Sequence, residues 1–150
     1  MKTVAYADLA SLAGQETGIS DWVTIDQDRI NKFADATGDH QWIHIDIARA
    51  AKELPGGKTI AHGYLTLSLI PMLSAQTLRV TGVSRGINYG SNKVRFTSMV
   101  PVGSRVRGRQ TVLSVTARGG GMEIVSQFTI EIEGQDRPAC VAETIGLVFS

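Results

Sequence analysis

Cysteine is nearly absent from the chain: Cys140 is the only one among 150 residues. That excludes an intramolecular disulfide and a multi-cysteine zinc site. Without bridges or an evident leader, a reducing cytoplasm is the expected setting. The start, Met1-Lys2-Thr3-Val4-Ala5-Tyr6-Ala7-Asp8, lacks the long apolar stretch of a signal peptide. Charge of one sign is also lacking. The formal net charge is +1, which supports neither a general nucleic-acid partner nor a membrane-surface role. Long hydrophobic runs are missing too. The most apolar one, Tyr64 to Leu73, is too short to cross a bilayer and is interrupted by Ser68 and Pro71. No internal repeat, low-complexity tract or linker divides the chain. What is present, 43% apolar and 19% charged residues, places it among globular proteins. The length predicts one domain, residues 1–150, large enough for a proper core.

The pattern along the chain predicts helices first and strands later. Residues 5–13 read as a short helix stopped by Gly14, and Asp21 to Ile25 as a short strand. Asp26 can cap a helix running to about Thr37, because Ile30, Phe33, Ala34 and Thr37 recur at helical spacing. Gly38 suits the left-handed residue that ends it. Asp39 to Asp46 then reads as loop, and Ile47 to Leu54 as a short helix closed by Pro55-Gly56-Gly57. From His62 to about Thr77 the spacing predicts a long helix, apolar on nearly all sides and therefore buried, with a kink at Pro71. After Gly82 the residues turn to Val, Ile, Thr and Phe, often alternating. Ile87 to Phe96, Ser104 to Ala117, Met122 to Glu133 and Ala139 to Phe149 read as strands. Gly119-Gly120-Gly121 and Gly134-Gln135-Asp136 read as tight turns between the last three. Such segregation means an α+β fold, with a buried helix and a curled antiparallel sheet around it.

Two stretches carry candidate chemistry. Gly38-Asp39-His40-Gln41-Trp42-Ile43-His44-Ile45-Asp46 places a carboxylate and an imidazole five residues apart, just past a helix end. Ile60-Ala61-His62-Gly63-Tyr64 places a glycine where the long helix begins. An acid–base pair and a helix start are the parts needed to add or remove water beside a carbonyl. The plainer alternative is that Asp39 accepts backbone N–H bonds at a helix end while His44 packs in a loop. His40 and His44 with Asp46 also raise a metal site. Four-residue His spacing serves a shared metal on a helix, whereas this segment follows a helix-ending glycine and shows no fourth ligand, so no metal is expected. Cys140, among Ala139, Val141 and Ala142, reads as a buried, inert thiol.

Gly38-Asp39-His40-Gln41-Trp42-Ile43-His44 resembles the signature of the MaoC-like dehydratases and (R)-specific enoyl-CoA hydratases, which runs Gly-Asp, one free residue, Asn-Pro, an aliphatic and His. The chain departs at Gln41, where Asn is usual, and at Trp42, where Pro is usual. With Phe33-Ala34-Asp35-Ala36-Thr37 before it, this variant is similar to the subgroup containing nodulation protein N. Ile60-Ala61-His62-Gly63, Ile87 to Phe96 and Pro101-Val102-Gly103-Ser104 fit as well. The likeness runs from about Leu9 to Val148.

The resemblance implies a hotdog fold and a hydro-lyase acting on acyl-CoA thioesters, with no metal and no redox cofactor. Asp39 and His44 would be the catalytic pair and the Gly63 N–H the oxyanion donor. Gln41 would orient the pair or stabilise the loop. Trp42 would pack or touch ligand, and His62 would cap, hold a buried hydrogen bond or take part in catalysis. Asn88 and Asn92 would contact pantetheine or close strand-end hydrogen bonds, the commoner role, and Tyr89 joins the substrate-binding candidates. Lys93 and Arg95 alternate on one strand, Arg105, Arg107 and Arg109 on the next. These form a solvated sheet face or meet CoA phosphates, some from a second subunit. A homodimer is expected, because a lone hotdog sheet leaves an edge and a face uncovered. Two other functions fit the same residues: a hotdog acyl-CoA thioesterase and a non-catalytic acyl-thioester binding protein.

Overall fold

The computed structural model describes residues 1–150. Its frame is an antiparallel sheet built from long strands: β5 (Arg85–Phe96), β6 (Arg105–Arg118), β7 (Gly121–Ile132) and β8 (Cys140–Phe149). Two short strands, β2 (Glu16–Ile19) and β3 (Val23–Thr24), pair along β6, so the order is β2-β6-β7-β8-β5 with β3 beside β2. The sheet is not closed, and β5 is an edge. Alternation decides which face is inside. On β6, Val106, Gln110 and Val112 are buried, whereas Arg105, Arg107 and Arg109 point outward. The β6–β7 hairpin turns on Gly119 and Gly120, both at positive φ (57° and 81°), as a two-residue turn of matching twist requires. The β7–β8 connection, expected to be equally tight, is a longer loop spanning residues 133–139.

Helix α1 (Gln27–Thr37) follows the expected logic at both ends. Asp26 accepts from the Arg29 N–H at 2.9 Å, and Gly38 closes it at φ 79°. The Asp39–Asp46 segment differs from the expected loop: Trp42–Ile45 close one helical turn, α2. Four residues carry no periodicity, so this turn leaves no trace in the sequence. Asp46 then caps α3 (Ile47–Glu53) through the Arg49 N–H.

The long central helix exists as two short ones, α4 (Gly63–Ser68) and α5 (Ile70–Ser74). They break at Leu69, just ahead of Pro71, which has no N–H for the carbonyl of Leu67. Leu65, Leu69, Ile70 and Leu73 pack against Val106, Phe128, Ile130 and Cys140 of the sheet to form the main core. Each such burial contributes about 1.5–3 kcal/mol. Gly108 lets the helices approach closely: a Cβ there would sit 3.1 Å from Leu73 Cβ. Burial is not all-round, however. Tyr64 is 68% exposed and Met72 38%, so one face of the helices is left uncovered.

The sequence reading misses three elements. β1 (Lys2–Ala5) and β4 (Leu78–Thr81) form a parallel pair, and β2 lines β6. All are four residues long and are held by partners far along the chain. The expected helix at 5–13 is a 3-10 helix, Tyr6–Leu12, whose Leu9 and Leu12 pack with Val112 and Ile124.

Candidate active site

Each site group is placed by a local device. Gly38 ends α1 so that Asp39 leaves the helix immediately, and the Asp39 carboxylate accepts the Gln41 N–H at 3.3 Å. The single turn α2 carries His44 inward to 7% exposure. Ile60 lies opposite and fixes the imidazole: His44 Nδ1 is 2.7 Å from its carbonyl oxygen. A carbonyl only accepts, so Nδ1 bears the proton and Nε2 is free to act as a base. Burial lowers the His44 pKa below the usual 6.5, outweighing the Ile60 hydrogen bond and the Asp39 carboxylate; His62 nearby pushes the same way as burial. The ring is therefore neutral at pH 7.

His62 is 2% exposed and donates through Nε2 to the Asp39 carbonyl at 3.0 Å. Its Nδ1 is buried without a partner. The two imidazoles stack, with centroids 3.7 Å apart. One carboxylate oxygen of Asp39 and one ring nitrogen each of His44 and His62 lie within 4.8 Å of one another. A water bonds at about 2.8 Å to each partner, so Asp39 and His44 can share one. The same three side chains are a set able to hold a metal ion. The set raised from sequence, His40, His44 and Asp46, does not assemble: His40 is exposed and paired with Asp35 at 2.9 Å, while Asp46 caps α3.

Gly63 begins α4, so its N–H has no acceptor within the helix. It lines a cavity of about 190 Å³ together with His44, Ala61, Thr66, Phe96 and Met99. Phe96 approaches Gly63 closely: a Cβ there would sit 2.9 Å from the Phe96 ring. Phe96 escapes the sequence reading because its contact with Gly63 arises only when β5 folds over the helix start; Thr66, one turn into α4, is not singled out either. Gln27 is missed too. Its amide donates to the His44 carbonyl at 2.7 Å and accepts from Thr59 at 2.6 Å, tying α1 to the site.

The remaining sequence candidates are placed less centrally. Gln41 is exposed and its backbone, not its amide, meets Asp39. Trp42 packs, with the Arg49 guanidinium 3.9 Å above its ring. Asn88 lines a second, larger cavity. Tyr89 turns away and accepts from Arg118 at 2.7 Å. Lys93 and Arg95 are exposed on β5 and line neither cavity. Arg105, Arg107 and Arg109 form an ion-paired ladder with Glu133, Glu131 and Glu16 on the outer face of the sheet. Cys140 is fully buried, and burial pushes its thiol up to about 11.

A tautomer-fixed imidazole and a carboxylate set beside a free helix-start N–H, under an open antiparallel sheet, define an acid–base enzyme for carbonyl-activated substrates. The chain belongs to the MaoC-like domain family, whose profile matches residues 8–133. It is 56% identical over 142 residues to 3-hydroxyacyl-thioester dehydratase Z of Mycobacterium tuberculosis, covering 94% of this chain and 93% of that protein. It is 45% identical over 150 residues to nodulation protein N of Rhizobium leguminosarum, covering 99% of this chain and 93% of that protein. The solved (R)-hydratase from A. caviae, involved in PHA biosynthesis, superposes with a TM-score of 0.72 at 24% identity, over 89% of this chain and 94% of that one. That likeness establishes the hotdog fold.

Proposed function

We infer that this protein is an (R)-specific enoyl-CoA hydratase, or 3-hydroxyacyl-CoA dehydratase, adding water reversibly to a trans-2-enoyl thioester. The observation that carries the reading is the convergence of Asp39 and His44 within one water's reach. Gly63 on the same cavity as His44 supports it. The thioester oxygen takes the Gly63 N–H as charge moves onto it during attack at C3. Preorganised donors of this kind are worth about 2.7–4 kcal/mol. The helix is only six residues long, but the effect resides in its first turn. The shared water loses a proton to the Asp39–His44 pair, and C2 gains one from it. Dehydration runs the same path backward. Acid–base catalysis of this kind contributes about 10²–10⁴-fold. The relatives' names support the substrate class.

The working unit is assigned as a homodimer. β5 is an edge strand carrying Ile87, Tyr89 and Phe96 at 48%, 52% and 45% exposure. Bare apolar edges of this kind call for a partner strand. Phe96 links that edge to Gly63. Lys93 and Arg95 on the same strand are assigned to carrier phosphates.

Crotonyl-CoA hydration by wild type, Asp39→Asn and His44→Gln tests the reading, with chiral product analysis and a thiol-release control. The expected result is (R)-3-hydroxybutyryl-CoA from wild type and losses of about 10²-fold or more in both variants. Thiol release without hydration would instead make it a thioesterase. Binding without turnover would make it an acyl-thioester binding protein.

A further inference from the structure

The second cavity, of about 430 Å³, is large enough for a ligand moiety, and two polar side chains, Gln110 and Ser126, stand among the buried apolar residues Ile70, Ile124 and Phe128 that line it. Gln110 occupies an inward position on β6, where its neighbours Val106 and Val112 are core residues, and it is only 3% exposed. Its carboxamide is held in place. The oxygen accepts from Thr77 and, at 3.5 Å, from Ser74; the nitrogen donates to Ser126 Oγ at 3.1 Å. A primary amide carries two N–H protons, and a serine hydroxyl donates as well as accepts. One amide proton of Gln110 and the hydroxyl proton of Ser126 are thus left over, and both residues line the cavity. Neither acid nor base lines it.

We propose that this cavity receives the far end of the acyl chain and selects chains carrying an uncharged oxygen, a hydroxyl or keto group, over alkyl chains of equal length. The proposal rests on the hydratase reading. The position fits. Gly63 and Thr66 border the catalytic cavity, while Leu67, Ile70 and Ser74 of the same helical run border this one. Ser74, which contacts Gln110, lies eleven residues beyond Gly63 and across the break at Leu69, so Gln110 and Ser126 stand away from the thioester end. An alkyl end would strip water from the spare donors of Gln110 and Ser126 and return no hydrogen bond. A chain oxygen accepts from them. A carboxylate end is disfavoured, because no cation is present to offset its desolvation.

The test is a series of trans-2-enoyl-CoA esters of rising length, each with a methyl, hydroxymethyl or carboxylate end. They are assayed for kcat/KM with wild type, Gln110→Leu and Ser126→Ala, with thermal melting to confirm folding and equilibrium binding measured in parallel. At the length that reaches the wall, wild type should favour the hydroxyl end over the methyl end about tenfold. Gln110→Leu should abolish or reverse that ratio, and Ser126→Ala should reduce it. Should Gln110→Leu fail to fold, Ser126→Ala carries the test. An alkyl preference at every length, or an unchanged ratio in the folded variants, overturns the proposal. Failure of wild type to hydrate any ester, crotonyl-CoA included, overturns the hydratase reading instead, and the binding ratios then decide the cavity's preference alone.

Discussion

The imidazoles of His44 and His62 lie face to face, 3.7 Å between centroids and 25° from parallel. Each is anchored to a backbone carbonyl, His44 to Ile60 and His62 to Asp39. One buried ring thus touches both members of the proposed catalytic pair, His44 by stacking and Asp39 through its backbone carbonyl.

The pH profile follows from His44. Burial lowers its pKa from 6.5, so the neutral base persists into mild acid. The acid limb of kcat/KM should fall below pH 6.5. Folding has the same sign. As pH drops through 6.5 the unfolded imidazole binds a proton that the folded one still resists, so stability declines with acid and rises again as pH increases. Thermal melts and kcat/KM across pH 5–8 check both; an acid limb above 6.5 contradicts the assignment.

His62→Phe keeps a ring in the stack but removes the hydrogen bond to Asp39. We expect kcat to fall about tenfold with KM little changed, since a positioned general acid–base group is worth far more than that. Losing His62 also removes one influence that lowers the His44 pKa. The acid limb should therefore move upward, which a purely structural defect would not produce.

Gly63→Ala keeps the N–H but places a Cβ 2.9 Å from the Phe96 ring. Phe96 is 45% exposed and can swing aside, so the melting temperature should hardly change. Activity should fall at least about tenfold, because the thioester must approach this backbone closely. Steady-state kinetics beside a melt separates the two effects. A large drop in melting temperature with near-normal kcat/KM would assign the glycine to packing.

Cys140 should be inert in the folded protein. Its thiol is fully buried and pushed up to about 11, so little thiolate exists at pH 8. An aromatic disulfide reagent should react only at the rate of unfolding, and at once in denaturant. Fast labelling of the native protein would show that the β7–β8 end opens.

Asp39, His44 and Gly63 were legible because each depends on short-range rules: a glycine that ends a helix, a five-residue offset, a glycine that starts the next helix. Helix α1 and the four long strands were legible for the same reason, their periodicity and capping being local. β1 and β4 were not. They pair Lys2 with Leu78 and Val4 with Val80, and no four-residue segment announces a partner so distant. The break at Leu69 was foreshadowed by Pro71, but its extent depended on packing against β6.

The sequence by itself determined the α+β class through local propensity, and raised Asp39, His44 and Gly63 as candidates through spacing and the family resemblance. Only the tertiary structure decided which nitrogen of His44 is free, because that depends on the Ile60 carbonyl sixteen residues away. It also paired the arginines of β6 with glutamates from β7 and β2. Above all it placed Gln110 at the wall of a cavity. A polar residue on an alternating strand reads as an outward one until Ser74, Thr77 and Ser126 close around it.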